Sequence, residues 1–264
     1  MVIIGDSKMA KLSICSEFSF PLPMNERLKK IKAAGFEATS FEWEGDDKDS
    51  VPDLARKLGL DIDYIHAPFD PLKNNPNFLW TDYQAGDEYL DMLVSCINDC
   101  KLHKIPTVVI HITWFEDSPG ITELGIDRVK RLVDYAEKQE VNLAFENLNY
   151  LEQLDYIFQH INSNRLGFCY DNGHENWRHP KADCLSRYGH RLFTVHLNDN
   201  FGDNDQHLLP YDGTIDWKKT KRKLVCCKKL EYLTLEVVFD AYRKMSVDEF
   251  LVQAYQRALR LLNE

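Results

Sequence analysis

No stretch of ~18 consecutive apolar residues occurs in this 264-residue chain, which excludes a conventional transmembrane helix. Residues 1–10 lack the charged-then-apolar layout of a secretion signal. No Cys-x-x-Cys pair is present, and the seven cysteines (Cys15, Cys96, Cys100, Cys169, Cys184, Cys226 and Cys227) are odd in number. Reduced thiols in a cytoplasmic protein are therefore expected rather than a disulfide framework. Positive charge is also in deficit: 32 Lys and Arg face 42 Asp and Glu, for a net charge of -10. That balance disfavours broad electrostatic binding to nucleic acid or to an acidic membrane surface. A Gly-rich phosphate turn is missing as well. Glu17-Phe18-Ser19-Phe20-Pro21 stand where a doubly wound nucleotide-binding sheet would carry one. No linker, low-complexity tract or composition break divides the chain, so residues 1–264 read as one domain. The hydrophobic content of 44% supplies one sizeable core.

What is present is a regular alternation. Short β-type runs are expected at residues 12–18, 38–43, 62–65, 107–112, 141–146, 166–170, 192–197 and 232–238. Amphipathic stretches separate them at residues 25–34, 51–58, 83–102, 125–139, 151–161, 182–188, 217–227 and 247–262. In the last of these, Leu251, Ala254, Tyr255, Ala258 and Leu261 recur at helical spacing. Gly35 and Gly59 follow the first two helices, where glycine tolerates left-handed geometry. Eight strand–helix units in strict alternation predict an α/β fold, a parallel (β/α)8 TIM barrel.

The ends of the apolar runs carry ionisable side chains. They are His66 in YIHAPF, His111 in VVIHIT, Glu146 in LAFENL, Asp171 and His174 in FCYDNGH, His196 in FTVHLND and Glu236 in LTLEVV, with Asp205 and His207 in a loop. Such a group ending a buried run is costly unless something pairs with it. In a barrel of this kind, the C-terminal ends of the strands converge on one site. Of the nine histidines, His66, His111, His174, His196 and His207 fall at strand ends or in the loops just after them. His103, His160, His179 and His190 fall in helical or loop segments, where a surface role suffices. Glu146 and Glu236 each end a run of nonpolar or near-neutral residues, where a carboxylate needs a cation or dense hydrogen bonding. Asp171 and His196 follow buried runs of their own. Taken singly, His66 or His111 reads as a hydrogen-bonded structural residue, and Asp205 with His207 as a solvated turn. Mixed carboxylate and imidazole donors suit Zn, Mn, Fe or Co, and such sites often hold more than one ion.

Together these residues resemble the ligand set of the xylose isomerase-like TIM-barrel superfamily. That superfamily holds sugar and sugar-phosphate isomerases and epimerases, and metal-dependent abasic-site endonucleases of the endonuclease IV type. The resemblance runs from Ser13 to the last helix. Its epimerases bind a divalent metal through a Glu, an Asp, a His and a Glu, which the resemblance places at Glu146, Asp171, His196 and Glu236. The further ligands of the endonucleases' three-metal cluster match His66, His111, His174, Asp205 and His207. A divalent metal (Mn, Zn, Mg or Co) is thus implied, with one ion expected and ligands for up to three.

The loops separate the two activities. The endonucleases carry a small, Gly-rich stretch after the fifth-strand Glu, where this chain has Asn147-Leu148-Asn149-Tyr150. They tend to have Pro-Gly after the fourth-strand His, where Ile112-Thr113-Trp114 stand here. Residues 207–217 (HLLPYDGTIDW) are similar to the HLxPGxGxIDW loop of the sugar isomerase-like members, with Tyr211 in place of a Gly. No basic cluster occupies the strand-to-helix loops; the Lys-rich run at residues 218–223 lies on a helix. The resemblance therefore implies a metal-dependent sugar or sugar-phosphate isomerase or epimerase. Glu146 and Glu236 are its expected catalytic pair, moving a proton next to a carbonyl through a metal-stabilised enediolate. An endonuclease IV-like zinc phosphodiesterase acting on abasic-site DNA is the alternative, and a barrel that keeps metal for stability alone is a third reading. The expected partner is a small sugar or polyol, with no membrane and no nucleic acid under the leading reading; homo-oligomer formation stays open. Trp114 is the chosen substrate-binding residue among the aromatic candidates Trp43, Phe69, Trp114, Phe115, Trp177 and Tyr211. Glu42 reads either as a substrate-hydroxyl acceptor or as a salt-bridged barrel residue.

Overall fold

A computed structural model describes residues 10–45, 48–81, 84–227 and 230–263. Residues 1–9, part of the stretch read as lacking a secretion-signal layout, and Tyr83, the expected start of the third helix, lie outside them. Eight strands alternate with helices: β1 Lys11–Cys15, α1 Met24–Ala34, β2 Ala38–Glu42, α2 Val51–Lys57, β3 Asp61–His66, α3 Gln84–His103, β4 Thr107–Ile110, α4 Glu123–Gln139, β5 Asn142–Glu146, α5 Glu152–His160, β6 Leu166–Asp171, α6 Asn172–Arg178, α7 Cys184–Tyr188, β7 Leu192–His196, α8 Trp217–Leu224, β8 Tyr232–Leu235 and α9 Val247–Asn263. The strand order is β7-β6-β5-β4-β3-β2-β1-β8, and every ladder is parallel. Leu197 closes the ring between β7 and β8: its N–H donates to Thr234 O at 2.9 Å and its carbonyl accepts from Glu236 N at 3.1 Å. The TIM barrel expected from the alternation is therefore the fold. Among the described residues no helix is long and apolar enough to cross a membrane.

Two of the short elements that escape the periodicity argument lie near the strand ends. The short helix α6 follows directly on Asp171, whose side chain caps it by accepting from His174 N at 2.7 Å. A 3-10 turn, Pro76–Trp80, precedes α3. Both are too short to show a helical repeat. The expected glycines behave as the turn chemistry requires, with φ of +112° at Gly35 and +74° at Gly59.

The helices cover the outer face of the sheet, and that layer forms the apolar core. The barrel interior is more polar. A register shift between β2 and β3 places an extra residue in β3, opposite the pair Thr39 and Phe41. Near it, Asp63 is buried and accepts from Thr194 Oγ1 and Thr234 Oγ1, each at 2.6 Å. These bonds tie β3 to β7 and β8, the pair of strands with the shortest ladder.

Burial pushes the Asp63 carboxyl up to about 6, against the opposing pull of the two threonines. A carboxyl raised in the folded state adds stability that is complete below its unfolded value and is lost as pH rises through the folded one. D63N removes that titration. Its stability relative to the parent should therefore rise by on the order of 3 kcal/mol between about pH 4 and pH 7. Urea unfolding at several pH values reads this directly, and a difference independent of pH would contradict it.

Candidate metal centre

Successive side chains of a strand point to opposite faces, so residues two apart share one. This places Tyr64 under His66, Val109 under His111, Ala144 under Glu146 and Cys169 under Asp171, and the four lower residues pack together inside the barrel. Above them, the ends of β3 to β8 deliver one ligand-type side chain each: His66, His111, Glu146, Asp171, His196 and Glu236. All are buried apart from Glu236, which keeps some exposure.

Glu146 is the hub. Its Oε2 lies 3.1 Å from His111 Nε2 and 3.4 Å from His66 Nε2, while its Oε1 lies 3.1 Å from His174 Nδ1 and 3.3 Å from His196 Nδ1. Glu236 Oε2 also reaches His196 Nδ1, at 3.2 Å, and Asp171 Oδ2 stands 3.9 Å from it. Donor atoms of Glu146, Asp171, His196 and Glu236 all fall within 4.8 Å of one another, as do those of His66, His111 and Glu146. On the outer side, Asp205 Oδ2 lies 3.2 Å from His174 Nε2 and 3.0 Å from His207 Nε2. All nine residues singled out from the sequence thus meet at one end of the barrel.

The electrostatics are those of carboxylates crowded out of water. Burial pushes the Glu146 carboxyl up, but the imidazoles of His196 and His111 outweigh it and hold it well below the usual range. Burial acts on Glu236 the same way, and His196 and His207 bring it down to about 2. At Asp171 burial prevails and takes the carboxyl up to about 7. His111 is driven down to about 4 by burial. His196, buried too, is held well above its ordinary value by Cys169, Glu236 and other neighbours.

A divalent cation suits these groups. His196 is fully buried, yet neither ring nitrogen has a hydrogen-bond partner. The carboxylate oxygens that approach Nδ1 do so without hydrogen-bonding geometry, and one nitrogen cannot serve two carboxylates at once. A cation with ligands at about 2.0–2.2 Å brings donor atoms to roughly 3–4 Å of each other, the spacing seen here.

Residues that sequence reasoning passed over support this ring. Asn147 and Asp171 exchange hydrogen bonds: Asn147 Nδ2 donates to Asp171 O at 2.7 Å, and Asp171 N donates to Asn147 Oδ1 at 2.9 Å. Asn198 Nδ2 donates to Asp171 Oδ2 at 3.2 Å. Asp199 organises the 208–217 loop by accepting from Tyr211 N, Ile215 N and Trp217 Nε1 at 3.0, 3.2 and 2.8 Å. The signal was a second polar residue after each buried run, in ENL and HLND. Tyr211 has φ of +75°, which accounts for a glycine at this point of the related loop pattern.

The aromatic candidates divide. Phe69, Trp114 and Phe115 form an arc over the histidines, with the Phe69 ring tilted against that of His111 at 4.1 Å between centroids and Phe115 edge-on to His174 at 5.7 Å. Trp43 is instead buried against α3, its Nε1 donating to Asp99 Oδ2 at 2.7 Å, and Tyr211 packs on Trp217 outside the mouth. The Trp177 ring is covered by the Arg178 guanidinium at 3.4 Å. Glu42 ends β2, and its carboxylate stands 3.7 Å from His66 Nδ1.

A family model described as xylose isomerase-like TIM barrel matches residues 26–249. The chain belongs to that family. Among the chain's relatives, uncharacterized protein y4fM of Sinorhizobium fredii is 33% identical over 273 residues, spanning 89% of this chain and 87% of the relative. Solved structures with the same fold include a D-tagatose 3-epimerase-like protein with a TM-score of 0.78 at 21% identity, covering 96% of this chain and 97% of its own. An L-ribulose 3-epimerase aligns with a TM-score of 0.76 at 15% identity, covering 96% and 94%.

Proposed function

We propose that this chain is a divalent-metal-dependent isomerase or epimerase of a small keto-sugar. One observation carries the reading: Glu146 and Glu236, from β5 and β8, approach the same buried nitrogen of His196 at 3.3 and 3.2 Å. Two carboxylates from different strands thereby meet at one point, beside the aromatic arc of Phe69, Trp114 and Phe115. Glu146, Asp171, His196 and Glu236 would hold the ion, which supplies polarisation of the substrate carbonyl and stabilisation of the charge that develops on its oxygen.

The protein groups divide the remaining work. The Glu236 side chain is 16% exposed and that of Glu146 1%, so Glu236 is the carboxylate that meets an incoming substrate first. It removes the proton from the carbon beside the carbonyl, and Glu146 serves the opposite face. Trp114 and its aromatic neighbours cover the apolar C–H face of the sugar and keep water from the exposed carbanion. The keto-sugars named for the structural neighbours support this substrate class.

Deuterium exchange tests the reading. Manganese-loaded protein in D2O should place deuterium beside the carbonyl of at least one of D-tagatose, L-ribulose, D-allulose and D-fructose, and E236Q should not. Absence of exchange in all four would reject it.

A second reading keeps support from the flanking groups. His66 and His111 on Glu146, and His174 and His207 on Asp205, give two further donor sets beside the central one. Three adjacent ions would suit phosphodiester hydrolysis. EDTA-sensitive nicking of abasic-site DNA, with three metal ions per chain, would replace the sugar reading.

A further inference from the structure

Below the ring of carboxylates and imidazoles lies a donor of another chemical kind. Cys169 sits on β6 two residues before Asp171, so both side chains face the barrel interior. It is fully buried among Tyr64, Val109 and Ala144. From this deeper layer its Sγ forms a set with a nitrogen of His196 and a carboxylate oxygen of Glu146, all within 4.8 Å of one another. The His196 ring has two buried nitrogens without hydrogen-bond partners, and its face lies over Tyr64 with centroids 5.1 Å apart. His196 thus stands between the carboxylates above and the thiol below.

We propose that Cys169, His196 and Glu146 form a second, deeper cation site that selects thiophilic divalent ions such as Zn2+, Cd2+ and Co2+. Thiolate sulfur favours these ions, whereas a carboxylate-rich set also accepts Mn2+ and Mg2+. As the metal–sulfur bond forms, the Sγ–H bond breaks and its proton passes to solvent. Both sites draw on His196 and Glu146, so ions at the two sites are not bound independently. A thiophilic ion held there would weaken the binding of Mn2+ at the ring. The inference shares two residues with the proposed metal set but does not rest on its catalytic role.

The test uses Co2+ and the full chain in a C226S background, which removes the one exposed cysteine among the seven. Stripped protein titrated with Co2+ should develop a near-ultraviolet thiolate-to-cobalt charge-transfer band. The band should vanish in both C169S and C169A and persist in E236Q, which alters the upper set alone. In the same proteins, Cd2+ should displace Mn2+, followed by electron paramagnetic resonance, at least tenfold less readily once Cys169 is replaced. No band in the folded parent protein, or an equal band in both Cys169 variants, overturns the site. Failure of the sugar reading would leave the band in place, so the two outcomes are separable.

Discussion

Replacing Glu146 with Ala is expected to lower turnover by on the order of 10^4-fold or more and to abolish tight binding of a divalent ion. No other side chain of the ring is as connected. Its two oxygens face four imidazoles, those of His66, His111, His174 and His196, at 3.1–3.4 Å. It belongs to both the histidine-rich donor group and the carboxylate-rich one. E146A therefore removes a ligand and also the only carboxylate among the described residues that all four imidazoles approach. E146Q keeps the shape without the charge and should lose metal to a similar degree, which separates the electrostatic role from packing. Calorimetric titration with Mn2+ measures the affinity. Binding within twofold of the parent protein in both variants would remove Glu146 from the account.

The largest loss of stability is expected from W80A, at about 3–5 kcal/mol. Trp80 is a fully buried indole in the 3-10 turn before α3. Its Nε1 donates to Ile112 O at 2.6 Å, and its own carbonyl accepts from Thr122 Oγ1 at 2.8 Å. Gly125 of α4 lies so close that an added Cβ would stand 2.3 Å from the ring. In the same turn, Asn77 Oδ1 accepts from Trp114 N at 2.8 Å. The turn thus braces the residues after His111 that carry the aromatic arc. W80A should shift the urea midpoint at an unchanged slope, and a loss under 1 kcal/mol would show that the cavity collapses or that the brace is dispensable.

Much of this molecule was legible in the residues. Strict alternation of apolar runs with helical repeats suffices for the barrel, because parallel strands buried on both faces and amphipathic helices leave few other arrangements. The strand-end histidines and carboxylates were legible for the same reason: an ionisable group closing an apolar run calls for a partner. Boundaries were less so. The run at residues 232–238 ends as a strand at Leu235; beyond it the chain keeps only single backbone bonds, from Glu236 N to Leu197 O and from Val238 N to His207 O. The interior layer was not legible at all. Asp63 faces inward beside a register shift, which no periodicity in a single strand reveals. Cys169 looked like one more buried thiol, because its place beneath His196 depends on two strands meeting. Likewise, Trp43 and Trp114 each follow a strand, yet one turns to α3 and the other to the mouth, a choice set by tertiary packing.

Metal analysis of the parent protein and H196A, purified and dialysed side by side, tests the central claim most directly. His196 contributes the buried nitrogen on which Glu146, Asp171 and Glu236 converge. The account predicts at least one firmly bound divalent ion per chain in the parent protein and none in H196A, with both folded. A parent protein free of metal after loading, or an equal metal content in H196A, would contradict it.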